Sequence, residues 1–280
     1  MPGSFNSGIG RAIDPRYPSN LFVLIAAPLA GVAWMTWKLA SEGDWSIALT
    51  GALVAAIATF LAWAIARELD PDRPWTAGVA AVLAAAVFGA GAPSLLVSGA
   101  ILLAVRITVR STGLAPRMTD LAVVAGFGAV VGTSDPGLAA GALLGAVLVI
   151  DRFLPGGAAA ASLPIGVVGV AAAAAAAAAW GTLIPAPGLP HGPEWVIVGV
   201  AAAGLAAVAR PGSVEALGDY RREPLPPGRV RLGRLLAVAG AGLTFIWLGG
   251  EGLTSGSAVW ASLAAAALPG RPGRALRRVN

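Results

Sequence analysis

WSIALTGALVAAIATFLAWAIA, residues 45–66, runs for 22 positions without a charged side chain, and RELDPDR, residues 67–73, then places five charges in seven. The first stretch is long enough, at about 1.5 Å per helical residue, to cross a hydrocarbon layer of about 30 Å. Hydrocarbon offers backbone groups no partner, so an apolar run of this length reads as a helix that bonds to itself. The charged stretch that follows reads first as the helix's exit. Arg67 complements the negative end of the helix dipole, Pro71 blocks continuation, and Asp72 is placed to cap a new helix with Pro74 in its first turn. On that reading Glu68 and Asp70 are solvated charges.

Working outward, similar apolar runs recur on both sides. Ten spans are expected, at 21–40, 45–66, 74–91, 93–110, 119–134, 136–154, 162–184, 194–210, 232–249 and 254–270. Because 74–110 must hold two helices separated by a Gly-Ala-Pro turn, a nine-span or re-entrant version is the alternative. The fold class expected is an all-α, polytopic transmembrane bundle. Its parts are a polar, disordered-looking cytoplasmic tail over 1–19, a helical domain over 20–270, and a basic cytoplasmic tail over 271–280. Within the domain, the cytoplasmic segment 211–231 reads as a Pro-stiffened linker. The first apolar run lacks a signal peptide's short h-region and reads as an uncleaved helix.

Charge placement supplies the orientation. With ten spans, Arg67, Arg73, Arg110, Arg117, Arg152, Arg210, Arg221, Arg222, Arg229 and Arg231 all fall on one side, and the basic tail joins them. Glu42, Asp44, Asp135, Glu194 and Glu251 fall on the other, with Lys38 as the one cation there. Positive loops stay inside, so both termini are expected in the cytoplasm and the protein in the cytoplasmic membrane. Trp37, Trp45, Trp180, Trp195 and Trp247 form a belt at the outer interface, where Asp44, Asp135 and Glu194 head helices.

Composition excludes several function classes. Only 12% of residues are charged, against roughly 25% in soluble domains. The net charge of +5 suits anionic lipid at the inner face rather than nucleic acid, because no basic strip is interleaved with aromatics. There is no cysteine and His191 is the only histidine, which removes disulfides, thiolate chemistry and all-His metal sites. No metal site is expected, and no cofactor is indicated.

Two patterns carry the remaining information. Gly137, Gly141 and Gly145 recur every fourth residue, as do Gly128 and Gly132, and such ridges let membrane helices approach closely. With the nine alanines of Ala171–Ala179 they suggest a tight core of the fifth to seventh spans, or a face for a second subunit or membrane partner. The second pattern is charge at helix ends. Arg106 and Arg110, four residues apart, share a helix face, and with Asp120 they form a candidate anion or lipid-phosphate site. Glu68, Asp70 and Asp72 form a candidate acidic cluster beside it. Asp151 is expected to pair locally with Arg152.

No buried proton-coupling carboxylate is evident from position along the spans. The function expected is therefore transport of a small solute or lipid without such a group. The alternatives are a membrane-embedded enzyme acting on a lipid-linked phosphate, and a non-catalytic membrane subunit.

Overall fold

The computed structural model describes residues 7–134, 136–157, 159–179, 188–209, 214–221 and 223–270. Asp135, Trp180, Pro187 and the basic tail, with part of the seventh expected span, lie outside them. The described residues are helical, with two isolated bridges and no strand. The helices are α1 (Pro18–Glu42), α2 (Trp45–Leu69), α3 (Pro74–Val87), α4 (Leu95–Val109), α5 (Met118–Gly132), α6 (Gly137–Phe153), α7 (Ser162–Ala179), α8 (Glu194–Leu205), α9 (Pro227–Leu248), α10 (Gly250–Ser255) and α11 (Ser257–Ala267).

Four of these, α1, α2, α7 and α9, are long and apolar enough to cross a membrane. The others are shorter than the apolar runs that contain them, for identifiable reasons. After Val87, α3 tightens into a 3-10 turn at Phe88–Ala90 and stops at Gly91, whose φ of 157° suits glycine. The tenth expected span, 254–270, holds α11, and Gly256 separates this helix from the short α10, which begins at Gly250. Conversely, α9 begins at Pro227, five residues before the expected start at 232. Proline at the first helical position is a start signal, and here it draws Arg229 and Arg231 into the helix.

The outward surface is apolar. Leu29 is 60% exposed on α1, Leu53 57% on α2, Val123 58% on α5 and Ile246 70% on α9. Apolar exposure spread over so many helices is what a lipid-facing wall needs. The interior is filled by small and branched side chains, among them Ala62, Ala77, Ile101, Val105, Leu144 and Leu263.

Helices α5, α6 and α7 pack at backbone distance. A Cβ added at Gly141 would lie 2.6 Å from the Gly128 carbonyl oxygen, and one at Gly132 would lie 2.6 Å from that of Ala173. One at Gly145 would lie 2.5 Å from the amide nitrogen of Val170. The glycines thus meet one another and the alanine run of α7, inside the chain.

Candidate functional site

The connections from α2 to α3, α4 to α5 and α6 to α7 lie at one end of the bundle, with residues 7–17 and 214–226. This is the charged end. Residues 7–17, in a tail expected to be disordered, are folded across it. Gly8 donates its backbone N–H to Asp120 Oδ2 at 2.8 Å, and the Ser7 hydroxyl donates to Oδ1 at 2.6 Å. The Thr112 hydroxyl donates to the Gly8 carbonyl at 3.0 Å.

Segment 214–226 is likewise docked rather than a free linker. Gly218 donates to the Glu223 carbonyl and Leu225 to that of Ala216, closing a tight hairpin. The backbone amides of Asp219 and Tyr220 bond the carbonyls of Ser111 and Thr112. Backbone groups that would need water in a free loop are satisfied against the α4–α5 connection.

The charges of 67–73 are correspondingly engaged. Glu68 is buried with 0% side-chain exposure, and its Oε1 accepts from Arg106 Nε at 3.0 Å, with Arg11 at 3.6 Å. Asp70 is buried against Arg73 at 2.6 Å, so neither acid is solvated. A buried carboxylate without such a partner would cost several kcal/mol, roughly. Arg73 also donates to the carbonyls of Ala266 and Leu268 at 2.9 and 2.5 Å, closing the end of α11. Asp72 does not cap α3. Its Oδ1 instead accepts the amides of Glu215 and Ala216 at 2.9 and 2.7 Å, pinning the hairpin's first limb.

The three members of the candidate anion site bond different groups, although Arg106 and Asp120 both hold residues 7–9. Arg106 is spent on Glu68 and the Ile9 carbonyl. Arg110 ends α4 in the left-handed conformation with φ 55°, which turns its side chain away to Asp151 at 2.7 Å. Asp120 holds Ser7, Gly8 and its own helix start, through the Arg117 amide at 2.9 Å. Asp151 pairs with Arg110 and Arg229, each at 2.7 Å, and not with the exposed Arg152. Arg229 donates further to the carbonyls of Thr108 and Pro155 at 2.9 Å each. The proline start of α9 signals a helix that includes Arg229, but not its partner.

What the charged end does form is a vestibule. A cavity of about 240 Å³ is lined by Arg11, Asp14, Tyr17, Asn20, Arg67 and Tyr220, with Asp219 also in its wall. A smaller space of about 60 Å³ shares Arg11, Asn20 and Arg67 and reaches Phe60, Leu102 and Arg106. Arg67 makes no ion pair among the described residues. Its Nη1 donates to Asn20 Oδ1 at 2.5 Å, and its guanidinium lies 5.4 Å from the centre of the Trp63 ring. Asn20 is itself held, through Nδ2, by the Asp14 carbonyl at 2.9 Å. A cation aligned by neutral groups and facing a cavity keeps donors free for a ligand.

Sequence reasoning missed Arg11, Asp14, Tyr17 and Asn20 as site residues, because nothing local in a polar segment says where it docks. Among the described residues no group of His, Asp and Glu is arranged to hold a metal ion. No protein-family model matches the chain, and neither a curated protein nor a solved structure was found to be similar to it.

Proposed function

We propose that the protein is a small-solute permease of the cytoplasmic membrane, with ten crossings, both termini inside and the charged end facing the cytoplasm. The vestibule carries this reading. It opens at the charged end beside the guanidinium of Arg67, and the smaller space that shares Arg11, Asn20 and Arg67 with it lies between α1, α2 and α4 and is lined by Phe60 and Leu102. Phe60 lies two helical turns, about 10 Å, beyond Arg67 along α2. A polar entrance closed by apolar side chains is the shape expected of a permease open to one side.

The arginines gathered at one end support the orientation. They also offer anionic lipid a surface there. An enzyme acting on a lipid-linked phosphate is less well supported, because Arg106, Arg110 and Asp120 each answer to different partners. A subunit docking through its Gly ridge is less well supported too, since the ridge is covered by α7.

The absence of cysteine makes the test clean. Phe60→Cys and Leu102→Cys, in proteoliposomes of one orientation, are exposed to an impermeant thiol reagent from each side in turn. Both sites should react readily from the charged-end side and, more slowly, from the other. Reaction from the charged end alone would make the vestibule blind and the permease reading wrong.

A further inference from the structure

We infer that the vestibule binds a small zwitterion, with its anionic group against Arg67 and its ammonium against Asp14. This rests on the permease reading of the same cavity and names its substrate class.

The wall charges carry the argument. Two bases, Arg11 and Arg67, and two acids, Asp14 and Asp219, line the larger space. Arg11 and Asp219 neutralise each other at 2.6 Å. Arg67 and Asp14 are left, and neither has an ion-pair partner among the described residues. A simple anion would meet the repulsion of Asp14, and a simple cation that of Arg67. A molecule carrying both charges complements both.

Asn20 links the two residues: its oxygen accepts from the Arg67 guanidinium, and its nitrogen donates to the backbone carbonyl of Asp14. The Asp14 carboxylate accepts the Arg16 amide at 3.0 Å through Oδ1, which leaves Oδ2 for an ammonium. Arg67 uses one of its five N–H donors on Asn20, leaving a fork for a carboxylate or phosphate. Tyr220 in the same wall offers a ring face and a hydroxyl to an ammonium. A cavity of about 240 Å³ equals about eight water volumes, room for a molecule of amino-acid or phosphoethanolamine size.

The same chemistry could come free in solution or on a lipid. An apolar groove of about 600 Å³ between α1 and α3 starts at Pro18 and Ser19, between the vestibule residues Tyr17 and Asn20. It is lined further along by Phe22, Trp75, Gly78 and Val82, and would take the acyl chain of a zwitterionic lipid.

Calorimetric titration of the purified, detergent-solubilised protein distinguishes these outcomes. O-phosphoethanolamine and β-alanine are compared with inorganic phosphate and ethylamine, which carry one charge type each. At least one zwitterion should bind about tenfold or more tighter than either control, a difference of about 1.4 kcal/mol. Arg67→Gln and Asp14→Asn should each remove that preference while the unliganded protein melts as before. If Arg67→Gln does not melt cooperatively, the Asp14→Asn titration decides.

Nanodiscs of phosphatidylethanolamine and of phosphatidylglycerol form the lipid arm. Tighter retention in the former, lost in Asp14→Asn, with no binding of the soluble probes, assigns the zwitterion to a headgroup and keeps the site. The inference is overturned if phosphate binds as tightly as the zwitterions, if nothing binds in either arm, or if the variants bind like wild type. Because binding is read in detergent, its failure is distinct from failure of the two-sided cysteine labelling.

Discussion

Helices α5, α6 and α7 and the charged end hold the same bundle together by opposite means. In the former, glycines bring backbone against backbone. In the latter, Arg106, Arg110, Arg229 and Arg73 each clasp a buried carboxylate and also donate to carbonyls of other segments. The first arrangement tolerates no added atom. The second tolerates no removed charge. A membrane bundle needs both, because dispersion works where lipid competes weakly, while loops that meet water need directional bonds to fix them.

Gly141→Leu should show the largest effect. The obstruction is the Gly128 carbonyl, a backbone atom that cannot swing aside, and the loss should exceed the usual ~1–3 kcal/mol of overpacking. Thermal melting in detergent should find no cooperative transition for it. Gly126→Leu, on the neighbouring α5 but with nothing within 4 Å of its would-be Cβ, should melt like wild type. Equal melting of the two would mean that α5–α7 packing is not what holds this half.

Asp151→Ala comes next. It strands Arg110 and Arg229 together with no carboxylate between them, and loss of one member of a buried pair costs about 3–5 kcal/mol. The fold should survive with a lowered midpoint, and α6–α7 should become the first segment to exchange amide hydrogens. A melt unchanged from wild type would show that the carbonyls of Thr108, Pro155 and Gly156 suffice for the two arginines.

The smallest effect belongs to the opposite end. There the exposed Asp44 caps α2, and hydrogen bonds from the Ser46 hydroxyl and the Ile47 and Ser46 amides hold its carboxyl below its ordinary 3.8. The folded state therefore binds this proton less tightly than the unfolded one. Its contribution is complete above 3.8 and fades as pH falls through the lowered folded value. Asp44→Asn keeps a capping oxygen but cannot titrate, so its melting midpoint should fall less than wild type's across that acid window. Parallel pH curves for the two proteins would assign the acid sensitivity to the charged end instead.

The halves also differ in how legible they were. Gly137, Gly141 and Gly145 announce a ridge by their spacing alone, and the apolar runs announce helices, since both signals lie within a few turns of chain. The position of Asp44 before Trp45 gave its cap in the same way. Asp72 defeated local reasoning: its place ahead of Pro74 fits a cap, yet its partners are 143 and 144 residues away. Glu68 and Asp151 were misplaced for the same reason. Whether a helix-end carboxylate is solvated depends on what folds over it, and Arg11 and Arg229 come from segments whose local sequence shows no such role.

The contacts of Arg73 also carry a consequence for the order of assembly. Its guanidinium waits on carbonyls 193 and 195 positions downstream, at the end of the final helix. A ribosome delivering this chain will have released α1 to α9 before that clasp can close. Until then Arg73 lacks its α11 carbonyl partners. A nascent chain that stops before α11 keeps the Arg73–Asp70 pair but lacks that closure.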